Sequence, residues 1–158
     1  MSDTVLQMHD IHFRRGDAHI LCGVDWEVRR GQHWAVLGPN GSGKTTLMMI
    51  ATGYLPSSRG RVFLIDGHIS EIVLPEVRKR IGFVSNALSD VMLKRHDRTT
   101  GLKIALSGRQ ASLGLYHRPR RQDLADARAA LAELGAAHLA DKPYRTMSTG
   151  ERQVCMVA

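Results

Sequence analysis

The sequence predicts an α/β fold, and three observations carry that prediction. An apolar run, Trp34-Ala35-Val36-Leu37, feeds a glycine-rich stretch and then a helical run, Leu47-Met48-Met49-Ile50-Ala51, the strand–loop–helix order of an α/β unit. Val24, Trp26 and Val28 alternate with Asp25, Glu27 and Arg29, the period of two that marks a half-buried strand. Leu124, Ala127, Leu131 and Leu134 fall on one helical stripe. Strand patterns dominate the first half, and the character turns helical from about Ala87.

Each element has a local reason. Val5 to Phe13 reads as a strand with imperfect alternation, and Gly16-Asp17 is a turn signal. The alternating strand around Trp26 ends at Arg30-Gly31-Gln32. His33 to Leu37 is a short apolar run suited to a central strand. Lys44 to about Gly53 is the first helix, Pro56 to Gly60 a loop, and Arg61 to Ile65 a strand closed by Asp66-Gly67. Pro75 to Arg80 suits a short helix with proline in its first turn. Ile81 to Ser85 reads as another strand, followed by polar Asn86. Thr99 to Gly108 looks helical, and Gly135 is placed to stop the helix that Asp123 opens. Asp141 to Met147 is irregular. Ser148-x-x-Glu151 is a capping box, so a helix is expected from Thr149.

The glycine-rich stretch is Gly38-Pro39-Asn40-Gly41-Ser42-Gly43-Lys44-Thr45-Thr46. Its spacing, Gly38-x4-Gly43-Lys44-Thr45, satisfies the Walker A pattern of a P-loop. Glycines let backbone N–H groups turn inward around a phosphate chain, and the helix adds its positive end at the same point. These nine residues are the expected nucleotide site. Lys44 would reach the β- and γ-phosphates, and the Thr45 hydroxyl would meet Mg²⁺.

Composition narrows the classes. The 158 residues, 43% hydrophobic and 23% charged, make one ordinary domain with a real core. Met1-Ser2-Asp3-Thr4 lacks the features of a signal peptide. The longest mostly apolar stretch, Leu47 to Leu55, falls short of the roughly 20 residues that span a bilayer. A cytoplasmic chain is expected, peripheral to a membrane only through a partner. Cys22 and Cys155 read as two reduced thiols, and the eight histidines show no ligand spacing. Net charge is +7, with Lys94, Arg95, Arg98, Lys103, Arg109, Arg118, Arg120 and Arg121 crowding one segment. A solvated basic face and a partner-binding patch both fit. Tyr116 stands alone there, so base stacking has no support.

Met147-Ser148-Thr149-Gly150-Glu151-Arg152-Gln153 resembles the LSGGQ-type signature of ABC ATPases. Ser148 and Gly150 match it; Thr149 and Glu151 depart from the consensus. Ile20 to Val24, Arg30-Gly31-Gln32, Gly60-Arg61-Val62 and Arg80 to Val84 follow the family's usual order. His33-Trp34 and Val84 to Leu88 look most like a bacterial branch related to molybdenum-transport ATPases. The resemblance implies a P-loop core, an antiparallel β-subdomain and a helical subdomain, divided as 1–86, 87–147 and 148–158. It implies ATP and Mg²⁺ as ligands. It implies a second ATP-binding subunit, whose nucleotide would meet Ser148, Thr149, Gly150 and Glu151, and a transmembrane permease subunit. No nucleic-acid motif is present, so nucleic acid ranks behind the permease as a partner.

The resemblance also assigns residues that depart from the family's pattern. Asn86 stands where the family has a Gln that bridges Mg²⁺ and the attacking water, and it is one methylene shorter. Arg15 stands where an aromatic side chain usually stacks on adenine. Arg15 would stack through its planar guanidinium, or Phe13 would substitute. The family places an apolar strand ending Asp-Glu, which serves Mg²⁺ and the attacking water, after the signature helix, and these 158 residues contain none. The chain is therefore expected to be the N-terminal part of a longer ATPase, lacking the C-terminal part of the core. Alone it is expected to bind nucleotide without turning it over.

Overall fold

The computed structural model describes residues 3–95, 99–111 and 118–158. The chain divides between Arg78 and Lys79 into two compact units.

The first unit is built on a four-stranded antiparallel sheet. Its strands are β1 (Thr4–Arg15), β2 (Ala18–Arg29), β3 (Arg59–Leu64) and β4 (Gly67–His68), in the order β2-β1-β3-β4. The imperfect alternation of β1 has a backbone cause. Leu6 and Met8 are buried, then Ile11 and Phe13, so the buried parity switches between Met8 and Ile11. The switch is a bulge: Asp10 has φ 51, and the registers with β2 and β3 both shift there. Asp10 Oδ1 meets His12 Nε2 at 2.8 Å, Arg59 Nη2 reaches Asp10 Oδ2 at 3.0 Å, and the Asp10 N–H donates to Asp25 Oδ1 at 2.9 Å. A Cβ on Gly60 would lie 2.4 Å from the Asp10 carbonyl oxygen, so only glycine lets β3 pass the bulge. Helices α1 (Lys44–Ala51) and α2 (Leu74–Arg78) complete the unit, with Ile50, Ala51 and Val77 buried.

The second unit is helical: α3 (Asn86–Arg95), α4 (Gly101–Arg109), α5 (Arg121–Glu133) and α6 (Thr149–Val157), with 3-10 turns at Ala137–Leu139 and Tyr144–Thr146. Its core joins Leu102, Ile104, Ala105 and Leu106 of α4 to Ala127 and Leu131 of α5, Cys155 of α6, and Leu139, Tyr144 and Met147. Gly101 has a packing reason: a Cβ there would lie 2.4 Å from the Leu139 carbonyl oxygen. Asp123 Oδ2 accepts the Arg120 N–H at 2.9 Å and opens α5. Gly135, at φ 68, closes it, with Ala136 N donating to Leu131 O at 2.8 Å and Gly135 N to Ala132 O at 2.9 Å. That is the Schellman pattern.

Two expected strands are not strands. Residues 33–37 and 81–85 have no regular secondary structure and join no ladder. A strand exists only when a neighbour takes its N–H and C=O groups, and the sheet of the described residues contains β1 to β4 alone. Trp34 is 55% exposed, Leu37 90% and Val84 41%, so apolar side chains chosen for burial lie open. The irregular stretch from Asp141 to Met147 instead holds a 3-10 turn around fully buried Tyr144.

Candidate functional site

The P-loop lies between residues 33–37 and α1. Gly43, at φ 90, sits in the left-handed region that glycine favours and serves as the helix N-cap. A Cβ on Gly43 would lie 3.0 Å from Leu21 Cδ2 and 3.1 Å from the Ile20 carbonyl oxygen, so the loop is seated against β2. Gly41 is also left-handed, at φ 83. Ser42 N donates to Pro39 O at 3.3 Å, closing a turn across Asn40 and Gly41. Lys44 reaches back over the loop, its Nζ donating to the carbonyls of Gly38 and Pro39, each at 2.8 Å. An ammonium held over a ring of loop backbone is a preorganised anion partner.

The first turn of α1 has neither an acidic residue nor a side-chain cap. Its free N–H groups and dipole thus present positive potential to the loop. Thr45 is exposed at the mouth, and Thr46 is half-buried. Arg15 is exposed at the end of β1, opposite Ala18 beside the Gly16-Asp17 turn. Phe13 is buried and belongs to the core.

In the helical unit, Ser148 caps α6 as the sequence requires. Ser148 Oγ accepts the Glu151 N–H at 3.3 Å, and Glu151 Oε2 accepts the Ser148 N–H at 2.7 Å. The other carboxylate oxygen of Glu151 takes a hydrogen bond from Lys142 Nζ at 2.7 Å. The Lys142 ammonium, then the Ser148 amide, hold the Glu151 carboxyl down at about 2. Ser148, Thr149 and Gly150 are exposed, and nothing lies within 4 Å of a Cβ on Gly150. Arg152 braces the approach to this turn: its Nε donates to Tyr144 O and its Nη2 to Arg145 O, both at 3.2 Å. The same guanidinium lies over the Tyr144 ring at 5.6 Å.

Asn86 is the first residue of α3, and Ser85 Oγ accepts the Leu88 N–H at 3.1 Å to start that helix. Asn86 Oδ1 accepts from Gln153 Nε2 of α6 at 3.0 Å. Sequence reasoning did not find Lys142 or Gln153 as partners here. Lys142 lies nine residues before Glu151 and outside its helix, and Gln153 is 67 residues from Asn86, so no periodicity links either pair. Arg98 and Tyr116 of the basic segment, and the side chain of Arg95, lie outside the described residues.

A family model described as "ABC transporter" matches residues 21–158. The chain belongs to the ABC transporter family. The ABC transporter ATP-binding protein YlmA of Bacillus subtilis (strain 168) is 35% identical over 156 residues, covering 98% of this chain and 58% of YlmA. The ABC transporter ATP-binding protein ModF of Escherichia coli (strain K12) is 31% identical over 149 residues, 89% of this chain and 29% of ModF. ModF is the kind of relative expected from the wording around His33 and Asn86. Among solved structures, the ATP-binding cassette MJ0796, a dimer in a post-hydrolysis state bound to ADP and Pi, matches with a TM-score of 0.72 at 18% identity. That match covers 96% of this chain and 67% of MJ0796. The likeness to MJ0796 is one of fold: α/β, with an antiparallel sheet and a set of helices. The chain spans somewhat under three fifths of YlmA. Among the described residues no helix of this family member is long and apolar enough to cross a membrane, and no cluster of His, Cys, Asp and Glu could hold a metal ion.

Proposed function

We propose that the chain holds ATP on Gly38 to Thr46, and that the complete protein hydrolyses ATP to ADP and phosphate to drive a transmembrane permease subunit. The observation that carries this reading is the P-loop geometry: a left-handed glycine at the helix cap, an uncapped helix end, and Lys44 Nζ 2.8 Å from two loop carbonyls. When a triphosphate enters, Lys44 exchanges those carbonyls for phosphate oxygens. The loop amides supply the remaining donors. Catalysis in such a site is positioning and electrostatic stabilisation.

Mg²⁺ fits the donor set in type. The exposed Thr45 hydroxyl is a hard oxygen ligand. Asn86 is proposed as a further metal contact on the family resemblance alone; its amide oxygen already accepts from Gln153 Nε2. Mg²⁺ held there would supply positive charge against the phosphate chain. Arg15, exposed beside the hairpin turn, is the proposed stacking partner of adenine.

The signature turn is proposed to serve a second ATP-binding subunit arranged head to tail, its nucleotide facing Ser148, Thr149, Gly150 and Glu151. The dimer reported for MJ0796 supports pairing with a second such subunit in general terms. The proposed division is 1–86 for the nucleotide-binding part with its β-subdomain, 87–147 for the helical part, and 148–158 for the start of the signature helix. The 158 residues alone are proposed to bind nucleotide without turnover. Calorimetry tests both halves. ATP with Mg²⁺ is expected to bind the wild-type chain, Lys44→Ala to lose that binding, and no phosphate to be released. Equal binding by Lys44→Ala would sink the P-loop reading, and turnover by the isolated chain would sink the second half.

A further inference from the structure

Glu151 presents an electrostatic problem that the fold answers. Its carboxylate caps α6, which stabilises the helix. The same carboxylate is a negative charge three residues from Ser148, at the end proposed to receive a phosphate. Like charges brought together at a recognition surface weaken binding. An acid at this place therefore needs a cation of its own.

The structure supplies one. Lys142 arrives from the loop before the 3-10 turn, not from the signature helix. That loop is fixed independently: Lys142 N donates to Leu139 O at 3.1 Å, Lys142 O accepts from Gly101 N at 3.2 Å, and Thr100 bridges to Pro143. From this anchored position Nζ reaches Glu151 Oε1 at 2.7 Å. The pair is largely shielded, with 34% and 27% of the two side chains accessible. The opposite carboxylate oxygen stays on the Ser148 amide at 2.7 Å.

We propose that Lys142 is a positioning and charge-compensating residue of the signature turn: it ties down Glu151 and makes the pair electrically neutral, so that Ser148, Thr149 and Gly150 face an incoming phosphate without a free negative charge beside them. This rests on the reading of the turn as a phosphate-facing site. In that scheme the Lys142–Glu151 pair does the work of one neutral amide side chain. A neutral residue at 151 should therefore make Lys142 dispensable, which a purely structural ion pair would not predict for phosphate binding.

The test is a charge-rescue cycle on the full chain, read in two ways. The first readout is the shift of the Ser148, Thr149 and Gly150 amide resonances on titration with inorganic phosphate. Lys142→Met is expected to weaken that response about tenfold. The double variant Lys142→Met/Glu151→Gln should regain the response to within about threefold of wild type, and Lys142→Arg should keep it. Thermal melts accompany each variant, so that a loss through unfolding is seen as such. The second readout is ATP-driven self-association by sedimentation, which should follow the same order.

A wild-type chain with no phosphate response at these amides, or a double variant as weak as Lys142→Met in a folded state, overturns the proposal. A full charge rescue in the phosphate response without ATP-driven association supports the role of Lys142 and overturns the head-to-tail reading instead.

Discussion

Gly43 and Glu151 show how much a single residue settles in this chain. Gly43 combines φ 90 with a Cβ direction that ends 3.0 Å from Leu21. Alanine there meets backbone strain and a steric contact together, and strain of this kind costs about 1–3 kcal/mol. Gly43→Ala is therefore expected to lower the melting temperature and to weaken binding of a fluorescent ATP analogue. Gly41→Ala makes the comparison, since the same strained backbone there has open space around the added methyl. A Gly43→Ala chain as stable as Gly41→Ala would show that the seat against β2 yields freely. Glu151 sets a pH dependence instead. Its carboxyl is held down at about 2, below the ordinary 4.5 of a glutamate, chiefly by Lys142 and then by the Ser148 amide. A depressed acid stabilises the fold above its unfolded pKa, and that stability is lost as pH falls through the folded one. The second unit is thus expected to lose stability between about pH 4.5 and 2, and Glu151→Gln to flatten that part of the profile. Chemical denaturation followed across the range measures both curves, and superimposable curves would refute the assignment.

At the scale of elements, the helical unit turns on two buried residues of different kinds. Leu131 of α5 is completely buried, so Leu131→Ala should cost about 2–5 kcal/mol by the usual cavity penalty. Tyr144 is also fully buried, but its hydroxyl meets Ser89 Oγ at 2.9 Å. Tyr144→Phe keeps the ring and leaves the Ser89 hydroxyl unpaired, a cost of about 1–3 kcal/mol. Urea unfolding followed by ellipticity is expected to rank Leu131→Ala as the more damaging, and the reverse order would place the weight of the core on the hydroxyl pair. The two residues differ in how they could be read. Leu131 was legible because Leu124, Ala127 and Leu131 recur at helical spacing. Tyr144 was not, because one aromatic in a three-residue 3-10 turn has no period. The P-loop and the Ser148 cap were legible for the reason that made Leu131 so: the cause is local, in glycine torsions or in a side chain reaching three residues on. The runs at 33–37 and 81–85 failed as strands because the cause of a strand lies in its neighbours. The Lys142–Glu151 and Asn86–Gln153 contacts are set by tertiary packing and left no pattern to find.

For the whole molecule, the net charge of +7 is not spread along the chain. Residues 1–78 carry eight Lys and Arg against eight Asp and Glu, while residues 79–158 carry fourteen against seven. The surplus therefore belongs to the helical unit. Within it Arg109 is engaged by Asp126 and by Asp123, the latter at 3.6 Å, Arg128 reaches Asp141 at 3.5 Å, and Lys142 is held by Glu151. Lys94, Lys103, Arg118, Arg120 and Arg121 are exposed. Arg120 and Arg121 stand at the N-terminus of α5, where Asp123 caps the helix and the two guanidinium groups add further positive charge. A surface of this kind attracts polyanions through counterion release, with an affinity that falls steeply as salt rises. Wild-type chain is accordingly expected to be retained on immobilised heparin, and the variant Lys103→Gln/Arg118→Gln/Arg120→Gln/Arg121→Gln to elute at clearly lower salt. A matched variant that neutralises Arg14, Arg30, Arg59 and Arg61 of the first unit controls for formal charge alone. Removing those four lowers the net charge equally, yet leaves the helical unit's surplus in place, so its elution should move less. Equal shifts for the two variants would mean that retention follows total charge, and that the asymmetry between the units has no bearing on what the molecule attracts.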